Sequence, residues 1–298
     1  MEKISFHDQI AKNRRYSILL IIIVFSLLVA LTYVISMILA PELSIIFVIF
    51  AVLIMVVYVY GTYNYGDRVV LAATKAKVIK EDDRKYTHLI NTVDGLSIAA
   101  GIPRPKIYVI ESEEMNAFAT GKNPENASVA VTTGLLENLK RDELEGVIGH
   151  ELSHIKNYDI RFMTLVAVLV GLIAILSHLI LRSWRFGARG KREDKGLGLI
   201  IVVGFILAIF APIVVRLVQF AVSRRREYLA DASSAKLTRY PAGLANALEK
   251  IMNFNKGKMK VSEAVSHLFF VDPSRSSLDQ LYATHPPIKE RIKILRSM

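Results

Sequence analysis

Two long apolar segments without a charged residue dominate the first fifth of the chain. They cover residues 16–40 and 43–60, and only Pro41 and Glu42 separate them. A helix needs about 20 residues to cross a hydrocarbon core of about 30 Å, so both segments are transmembrane candidates. Segment 16–40 is also longer than the roughly 7–15 apolar residues of a cleaved signal peptide. The sequence therefore predicts an N-terminal transmembrane hairpin within residues 1–65.

Two later apolar segments, residues 162–181 and 197–222, allow two interpretations. They are either a second transmembrane pair or helices buried in a soluble core. Their lengths favour the transmembrane pair, although Pro212, Arg216 and Gln219 interrupt the second segment. The connecting loop 182–196 carries six basic and two acidic residues, which is unusual for a loop outside the cytoplasm.

Basic residues at the first apolar segment set the orientation of the chain. Lys12, Arg14 and Arg15 precede it, and such flanks favour the cytoplasmic side. The sequence therefore predicts a multi-pass protein of the cytoplasmic membrane whose polar parts face the cytoplasm. A cluster of tyrosines at the inner end of the second segment fits the membrane boundary: Tyr58, Tyr60, Tyr63 and Tyr65. The net charge of +11 comes without a nucleic-acid recognition motif, so we expect a lipid bilayer and no nucleic acid as partner.

The polar residues fall into two parts, 66–161 and 223–298, on either side of the second apolar pair. In the first part, residues 71–100 have a helical pattern with mixed charge. Three short segments rich in β-branched residues then predict strands: 106–110, 116–120 and 127–132. Residues after 141 and after 223 return to helical spacing. These patterns predict a mainly helical α+β protein with a small β-sheet.

The chain contains no cysteine, so any metal has to be bound by histidine or carboxylate side chains. His150 and His154 lie four residues apart on a predicted amphipathic helix, one turn from each other, and Glu151 follows the first histidine. This is the H-E-x-x-H pattern of zinc proteases, in which two imidazoles bind the metal and the glutamate is the general base. The alternative is a surface helix with two solvated histidines.

A catalytic zinc site requires a third protein ligand, and the best candidates follow the fourth apolar segment. Glu227 and Asp231 lie four residues apart on a predicted helix. One of them can bind the metal while the other accepts the second N–H of a ligand histidine. Spacing alone does not distinguish this arrangement from a solvated acidic pair that forms salt bridges with neighbouring arginines.

The order of these features resembles the HtpX family of membrane-bound metalloproteases, which are relatives of the CAAX prenyl proteases. The similarity covers nearly the whole chain and includes five short segments: 116–121 (NAFATG), 132–136 (TTGLL), 150–154 (HELSH), 226–231 (REYLAD) and 284–287 (THPP).

The resemblance implies a zincin-like catalytic domain that binds one Zn²⁺ through His150, His154 and Glu227. It implies Glu151 as the catalytic base and Asp231 as the partner of a ligand histidine. It also implies ATP-independent quality control of membrane proteins, with misfolded membrane proteins and unfolded polypeptides as substrates. A CAAX-type prenyl peptidase and a non-catalytic membrane adaptor with a structural zinc site are the alternative functions.

Two further site predictions complete this interpretation. The oxyanion of peptide hydrolysis needs a hydrogen-bond donor besides zinc, and His285, next to the rigid pair Pro286–Pro287, is the candidate. Residues 116–119 are expected to form an edge strand that pairs with an extended substrate: Asn116, Ala117, Phe118 and Ala119. Since all three zinc ligands have to lie on one side of the membrane, the chain between His154 and Glu227 must cross it an even number of times.

Overall fold

The computed structural model describes residues 41–171, 224–257, 259, 261–273 and 286–298, together with scattered helical residues between 15 and 37. The architecture is mainly helical with one small mixed sheet, as the sequence predicts. Most of the first apolar segment, the stretch 172–223 and His285 lie outside the described residues, and so do the predictions made for them.

One helix of the described residues is long and apolar enough to cross a membrane. It comprises a 3₁₀ turn, Pro41–Leu43, followed by α1, Ser44–Ala73. Over this helix, Pro41–Ala73, the most apolar window has a mean hydropathy of 2.9 and is only 11% buried. The helix continues 13 residues past the end of the apolar segment at residue 60, and the predicted boundary at residue 65 falls inside it. Helix α1 therefore links the apolar segment directly to the polar domain.

The sheet has four strands in the order β1-β2-β4-β3: β1 Lys77–Val78, β2 Lys106–Ile110, β3 Ala117–Gly121 and β4 Ala127–Thr132. The central pair, β2 and β4, is parallel, and the two outer pairs are antiparallel. The predicted strands at 106–110 and 127–132 have the bounds that the structure shows, and β3 begins one residue later than predicted. β3 is an edge strand of the sheet, as expected.

The prediction of one helical segment over residues 71–100 is wrong. α1 ends at Ala73 because Lys75 adopts a left-handed backbone conformation (φ 54°), which no α-helix accommodates. The chain then forms β1 before the helix α2, Thr87–Ala100, begins. The left-handed Gly101 (φ 68°) ends α2 in turn.

The remaining helices surround one central helix, α4. In chain order they are α3 Thr133–Asn138, α4 Arg141–Lys156, α5 (described over 159–171), α6 Arg224–Thr238, α7 Pro241–Phe254, α8 Glu263–Ser266 and α9 Ile288–Arg296. Helix α4 packs against α2, α6, α7 and β3. Its apolar face is fully buried in the main hydrophobic core and consists of Val147, Ile148, Leu152 and Ile155.

Two glycines allow the neighbouring helices to approach α4 closely. A Cβ atom at Gly146 would lie 2.7 Å from the backbone nitrogen of Leu244 in α7. A Cβ atom at Gly149 would lie 2.8 Å from Oγ of Ser234 in α6. The Ser234 hydroxyl also donates a hydrogen bond to the carbonyl of Gly146 (2.6 Å). This close packing holds the segment around His150 against the helix that carries Glu227.

We predict that Gly146→Ala destabilises the protein, because the new methyl group meets the backbone of α7 rather than a flexible side chain. Overpacking of this kind costs about 1–3 kcal/mol. The matched control is Gly95→Ala in α2, where a Cβ atom meets nothing within 4 Å. The control is expected to be neutral or to gain up to about 1 kcal/mol from helix propensity. Thermal unfolding of both purified variants measures the difference, and a Gly146→Ala protein as stable as Gly95→Ala would contradict the close approach.

Candidate metal centre

Helix α4 places His150 and His154 inside the protein rather than on its surface. The histidines are 1% and 4% exposed, and Glu151 between them is 2% exposed. Their Nε2 atoms lie 3.1 Å apart, and the ring planes are nearly perpendicular at 83°. The alternative of a surface helix with two solvated histidines is therefore wrong.

Helix α6 brings Glu227 to the same point. Its Oε2 lies 3.6 Å from Nε2 of His150, and its Oε1 lies 3.4 Å from Nε2 of His154. Glu227 is buried, which excludes the alternative of a solvated acidic pair. His154 and Glu227 thus meet at one point, as a shared metal requires.

The donor set and its spacing fit a zinc ion. The candidate ligand atoms of His150, His154 and Glu227 all lie within 4.8 Å of one another. Ligands at the Zn–N and Zn–O distances of about 2.0–2.1 Å are separated by about 3.3 Å in a tetrahedral site. The observed separations of 3.1, 3.4 and 3.6 Å bracket that value. Two imidazoles and one carboxylate with a fourth position open are the ligand set of catalytic zinc sites.

Asp231 and Arg291 hold the ligand histidine His150 in position. Nδ1 of His150 donates to Oδ1 of Asp231 at 2.9 Å, which leaves the Nε2 lone pair of His150 for the metal. Asp231 in turn accepts two hydrogen bonds from Arg291, from Nε at 2.8 Å and from Nη2 at 2.7 Å. Arg291 is fully buried and lies over the ring of Phe270 at 4.7 Å. Asp231 therefore takes the position expected of it, held by an arginine of α9.

Asp159, which the sequence analysis did not identify, holds the other ligand histidine, His154, in position. Nδ1 of His154 donates to Oδ2 of Asp159 at 3.1 Å. The chain reaches this position through Tyr158, whose left-handed conformation (φ 58°) ends α4 and turns Asp159 back towards His154. Nη1 of Arg226, the residue before Glu227, lies 3.9 Å from Oδ1 of Asp159. Each ligand histidine is thus held by one carboxylate, and each carboxylate by one arginine.

Burial and these partners shift the pKa values of the site in different directions. Burial raises the pKa of Glu151 above the usual value of a glutamate. Burial also opposes the charged form of Asp231, but Arg291 and His150 outweigh it and lower the pKa of Asp231. Burial lowers the pKa of His154, whereas its hydrogen bonds to Asp159 and Glu227 outweigh burial and raise that pKa to about 10. The carboxylates of Asp159 and Glu227 therefore favour a positive charge beside the Nε2 atoms of the two histidines.

The predicted substrate strand lies beside this centre, and other residues of the chain cover it. The carbonyl of Ala117 accepts a hydrogen bond from the backbone N–H of Phe270 at 2.8 Å. The side-chain amide of Asn116 pairs with the backbone of Val271 in both directions, at 2.7 and 3.1 Å. The ring of Phe270 lies 4.8 Å from the ring of His150. All residues of β3, including Phe118 and Ala119, are buried, so the edge is closed in this conformation.

We predict that the ligands and their supporting residues differ in their effect on zinc affinity. Glu227→Ala removes a ligand and is expected to abolish stoichiometric zinc binding. Asp159→Asn keeps the size of the side chain but weakens its hold on His154, so we expect a loss of zinc affinity of about 10–100-fold. The control is Glu290→Gln, which changes an exposed carboxylate on α9 that accepts a hydrogen bond from Tyr228. Competition with a chromophoric chelator measures the zinc affinities. Equal affinities for Asp159→Asn and Glu290→Gln would contradict the role of Asp159 in holding His154.

Comparison with known proteins agrees with this geometry. Residues 83–298 match peptidase family M48. A protease HtpX homologue of Dictyoglomus turgidum is 45% identical over 300 residues, with 100% of this chain and 96% of the relative covered. A protease HtpX homologue of Streptococcus uberis is 40% identical, with 98% and 99% covered. The crystal structure of S. mikatae Ste24p is 20% identical and covers 92% of this chain and 62% of its own, with a TM-score of 0.49. On the family match and the two relatives, the chain belongs to peptidase family M48, among the HtpX homologues, and is a zinc metalloendopeptidase of the membrane.

Proposed function

We propose that this metalloendopeptidase cleaves misfolded or damaged membrane proteins at the cytoplasmic face of the membrane, without ATP. The observation that carries the proposal is the short path from the metal centre to the membrane helix. Thr164 in α5 follows Asp159, the partner of the ligand His154, by five residues, about 7.5 Å along the helix. A Cβ atom at Gly66 of α1 would contact this threonine at 3.1 Å, and the hydroxyl of Tyr58 donates to the carbonyl of Val168 at 3.1 Å. Loops and tails of membrane proteins would therefore reach the site readily.

Within this site, the residues of the chain have separate roles in peptide hydrolysis. Bound zinc supplies a Lewis acid, which polarises the scissile carbonyl and lowers the pKa of the attacking water towards about 7. Glu151 accepts the proton of that water and passes it to the leaving amine. Its burial suits this exchange, because a raised pKa lets the carboxylate both take up and release the proton. Asp231 and Asp159 keep the Nε2 atoms of the histidines directed at the metal.

The proposal assigns the remaining donor for the developing oxyanion to His285. This histidine directly precedes Pro286 and Pro287, and Pro286 is buried in the structure. Arg291, six residues further along the chain, contacts the supports of the metal centre. The closeness in sequence of His285 to these described residues supports the assignment. His285→Ala should then lower kcat while the zinc content stays at the level of the wild type.

The proposed substrate strand pairs with β3 through the backbone, which gives affinity with little selectivity for side chains. Breadth of this kind suits a protease that removes proteins with diverse sequences. The strand has to displace Phe270 and Val271 from Ala117 and Asn116 before it can pair there. An extended, unfolded segment can enter this space, whereas a folded loop cannot, so the closed edge supports a preference for unfolded regions.

Two alternative functions make different predictions. A CAAX-type prenyl peptidase would use the same metal centre but would require a prenylated C-terminal peptide. A non-catalytic adaptor with a structural zinc site is not supported, because structural sites bind zinc through four protein ligands. The described residues provide three ligands at this point, with Glu151 buried beside them.

We predict that Glu151→Gln keeps one zinc per chain and loses peptide hydrolysis, because the amide cannot accept the proton of the attacking water. A general base contributes about 10²–10⁴-fold to the rate. Cleavage of a fluorescent unfolded polypeptide and elemental analysis of the same preparation give both quantities. A variant with more than a few per cent of the wild-type rate would rule out Glu151 as the base.

The proposed substrate class is tested in vesicles that contain the full-length protease, zinc and no nucleotide. Three substrates are compared: a stable membrane protein, a destabilised point variant of it, and a farnesylated C-terminal peptide with its unmodified form as control. We expect cleavage of the destabilised variant well above that of its stable parent, with no dependence on the farnesyl group. Selective cleavage of the farnesylated peptide would favour the prenyl peptidase, and a requirement for ATP would contradict the proposal.

A further inference from the structure

The inner end of α1 carries a polar cleft that has no part in the metal centre. The cleft lies between α1, the turn after β3 and the start of α5. Among its lining residues are Tyr63 and Asp67 from α1, Lys122 from the turn, and Arg161 and Thr164 from α5. Three separate elements of the fold thus contribute polar groups to one place.

The position of this cleft along α1 corresponds to the membrane surface. Tyr63 follows Glu42, the charged residue at the outer end of the helix, by 21 residues, or about 30 Å of helix. This length equals the thickness of a typical hydrocarbon core. The intervening residues are apolar and largely exposed, including Ile45, Ile54 and Val57. The cleft therefore lies at the depth of the lipid headgroups, provided that α1 crosses the bilayer.

Two cations converge on Tyr63 in this cleft. Nζ of Lys122 and the guanidinium carbon of Arg161 each lie 5.8 Å from the centre of its ring. Arg161 is also held by the ring of Tyr158 at 5.5 Å, and its Nε donates to the carbonyl of Lys122 at 2.7 Å. Nζ of Lys122 donates to Oδ1 of Asn64 at 3.2 Å. Both cations are partly buried and held in place before any ligand arrives.

The charge of the cleft is not balanced within the part of the chain that the structure describes. No ion pair there joins Lys122 or Arg161 to a carboxylate, in contrast to Arg226 and Arg291. Asp67 lines the same cleft and contributes one negative charge. Two positive charges and one negative charge leave the cleft positive. The terminal guanidinium nitrogens of Arg161 remain available as a planar fork, which suits the oxygens of a phosphate group.

We propose that the opening of this cleft, beside Lys122 and Arg161, binds the phosphate headgroup of an anionic phospholipid from the inner leaflet. Lys122 and Arg161 bind the phosphodiester, Tyr63 lies at the level of the glycerol region, and the apolar surface of α1 accommodates the acyl chains. Basic pockets beside membrane helices on the cytoplasmic side are suited to such lipids. The site is separate from the zinc ligands, and its occupancy does not depend on the proteolytic function.

Native mass spectrometry of the full-length zinc protein tests the proposal, with phosphatidylglycerol and phosphatidylcholine offered in equal amounts in detergent. We expect the wild type to retain one phosphatidylglycerol in preference to phosphatidylcholine. The double variant Lys122→Gln/Arg161→Gln is expected to reduce this preference roughly 10–30-fold, because each cation at the surface of a membrane contributes about a factor of five. The matched control is Lys85→Gln/Arg141→Gln, which removes two exposed cations that do not line the cleft and should keep the preference.

Several results would overturn the lipid site. One is a wild type that shows no preference for phosphatidylglycerol, and another is a control variant that loses this preference as much as the double variant does. A third is displacement of the lipid by millimolar inorganic phosphate, which would indicate a site for the free ion. Should the first double variant fail to fold, the charge-conserving variant Lys122→Arg, which leaves the guanidinium fork of Arg161 in place, decides the matter. It has to retain the preference for phosphatidylglycerol, and its loss there would also overturn the proposal.

Discussion

Two buried carboxylates, Asp231 and Asp159, each accept a hydrogen bond from Nδ1 of a metal-ligand histidine. A histidine has two ring nitrogens, and fixing the proton on Nδ1 leaves Nε2 as the metal ligand. Both carboxylates would be costly to bury as isolated charges, and the arginines Arg291 and Arg226 offset that cost. The metal centre therefore depends on residues from four segments: α4, the start of α5, α6 and α9. Asp159 lies only five residues from His154, whereas Asp231, Arg226 and Arg291 join distant parts of the chain to the site.

Contacts of Asp159 and its helix α5 also connect the metal centre to α1, the candidate membrane helix. Asp159 stands at the beginning of α5, and α5 runs along the inner part of α1. Arg226 precedes Glu227 and lies 5.5 Å from the ring of Phe162, so the third ligand is fixed against α5 as well. Helix α1 itself continues from the apolar segment into the polar domain without a break. The candidate membrane helix and the catalytic part are therefore packed together, which fixes the position of the metal relative to α1.

Much of the site could be predicted from the sequence because its chemistry depends on short-range spacing. The histidines lie one helical turn apart, which makes this pair visible in a single chain. The roles of Glu227 and Asp231 followed from the family resemblance, because their spacing alone left a solvated acidic pair possible. The strands at 106–110 and 127–132 were equally clear from their β-branched residues. Arg291 was missed because it stands among other basic residues of α9. Its position on the same helical face as Ile288, Ile292 and Leu295 was the available signal, since a charge on an apolar face needs a buried partner.

Other features could not be predicted because they depend on tertiary contacts or on single backbone conformations. Lys75 and Tyr158 adopt left-handed conformations that their side chains do not favour, and these two residues end α1 and α4. The turn at Tyr158 is what aims Asp159 at His154. Phe270 and Val271 cover the edge strand β3 by bonding to residues more than 150 positions earlier in the chain. No local sequence pattern predicts such a contact.

The coordination of zinc in the full-length protein tests the central claim most directly. X-ray absorption spectroscopy at the zinc edge counts the imidazole ligands and gives the ligand distances. The account predicts two imidazoles and oxygen donors at about 2.0–2.2 Å in a four-coordinate site. A spectrum with one or three imidazoles would show that another set of residues binds the metal, and would contradict the assignment of His150, His154 and Glu227.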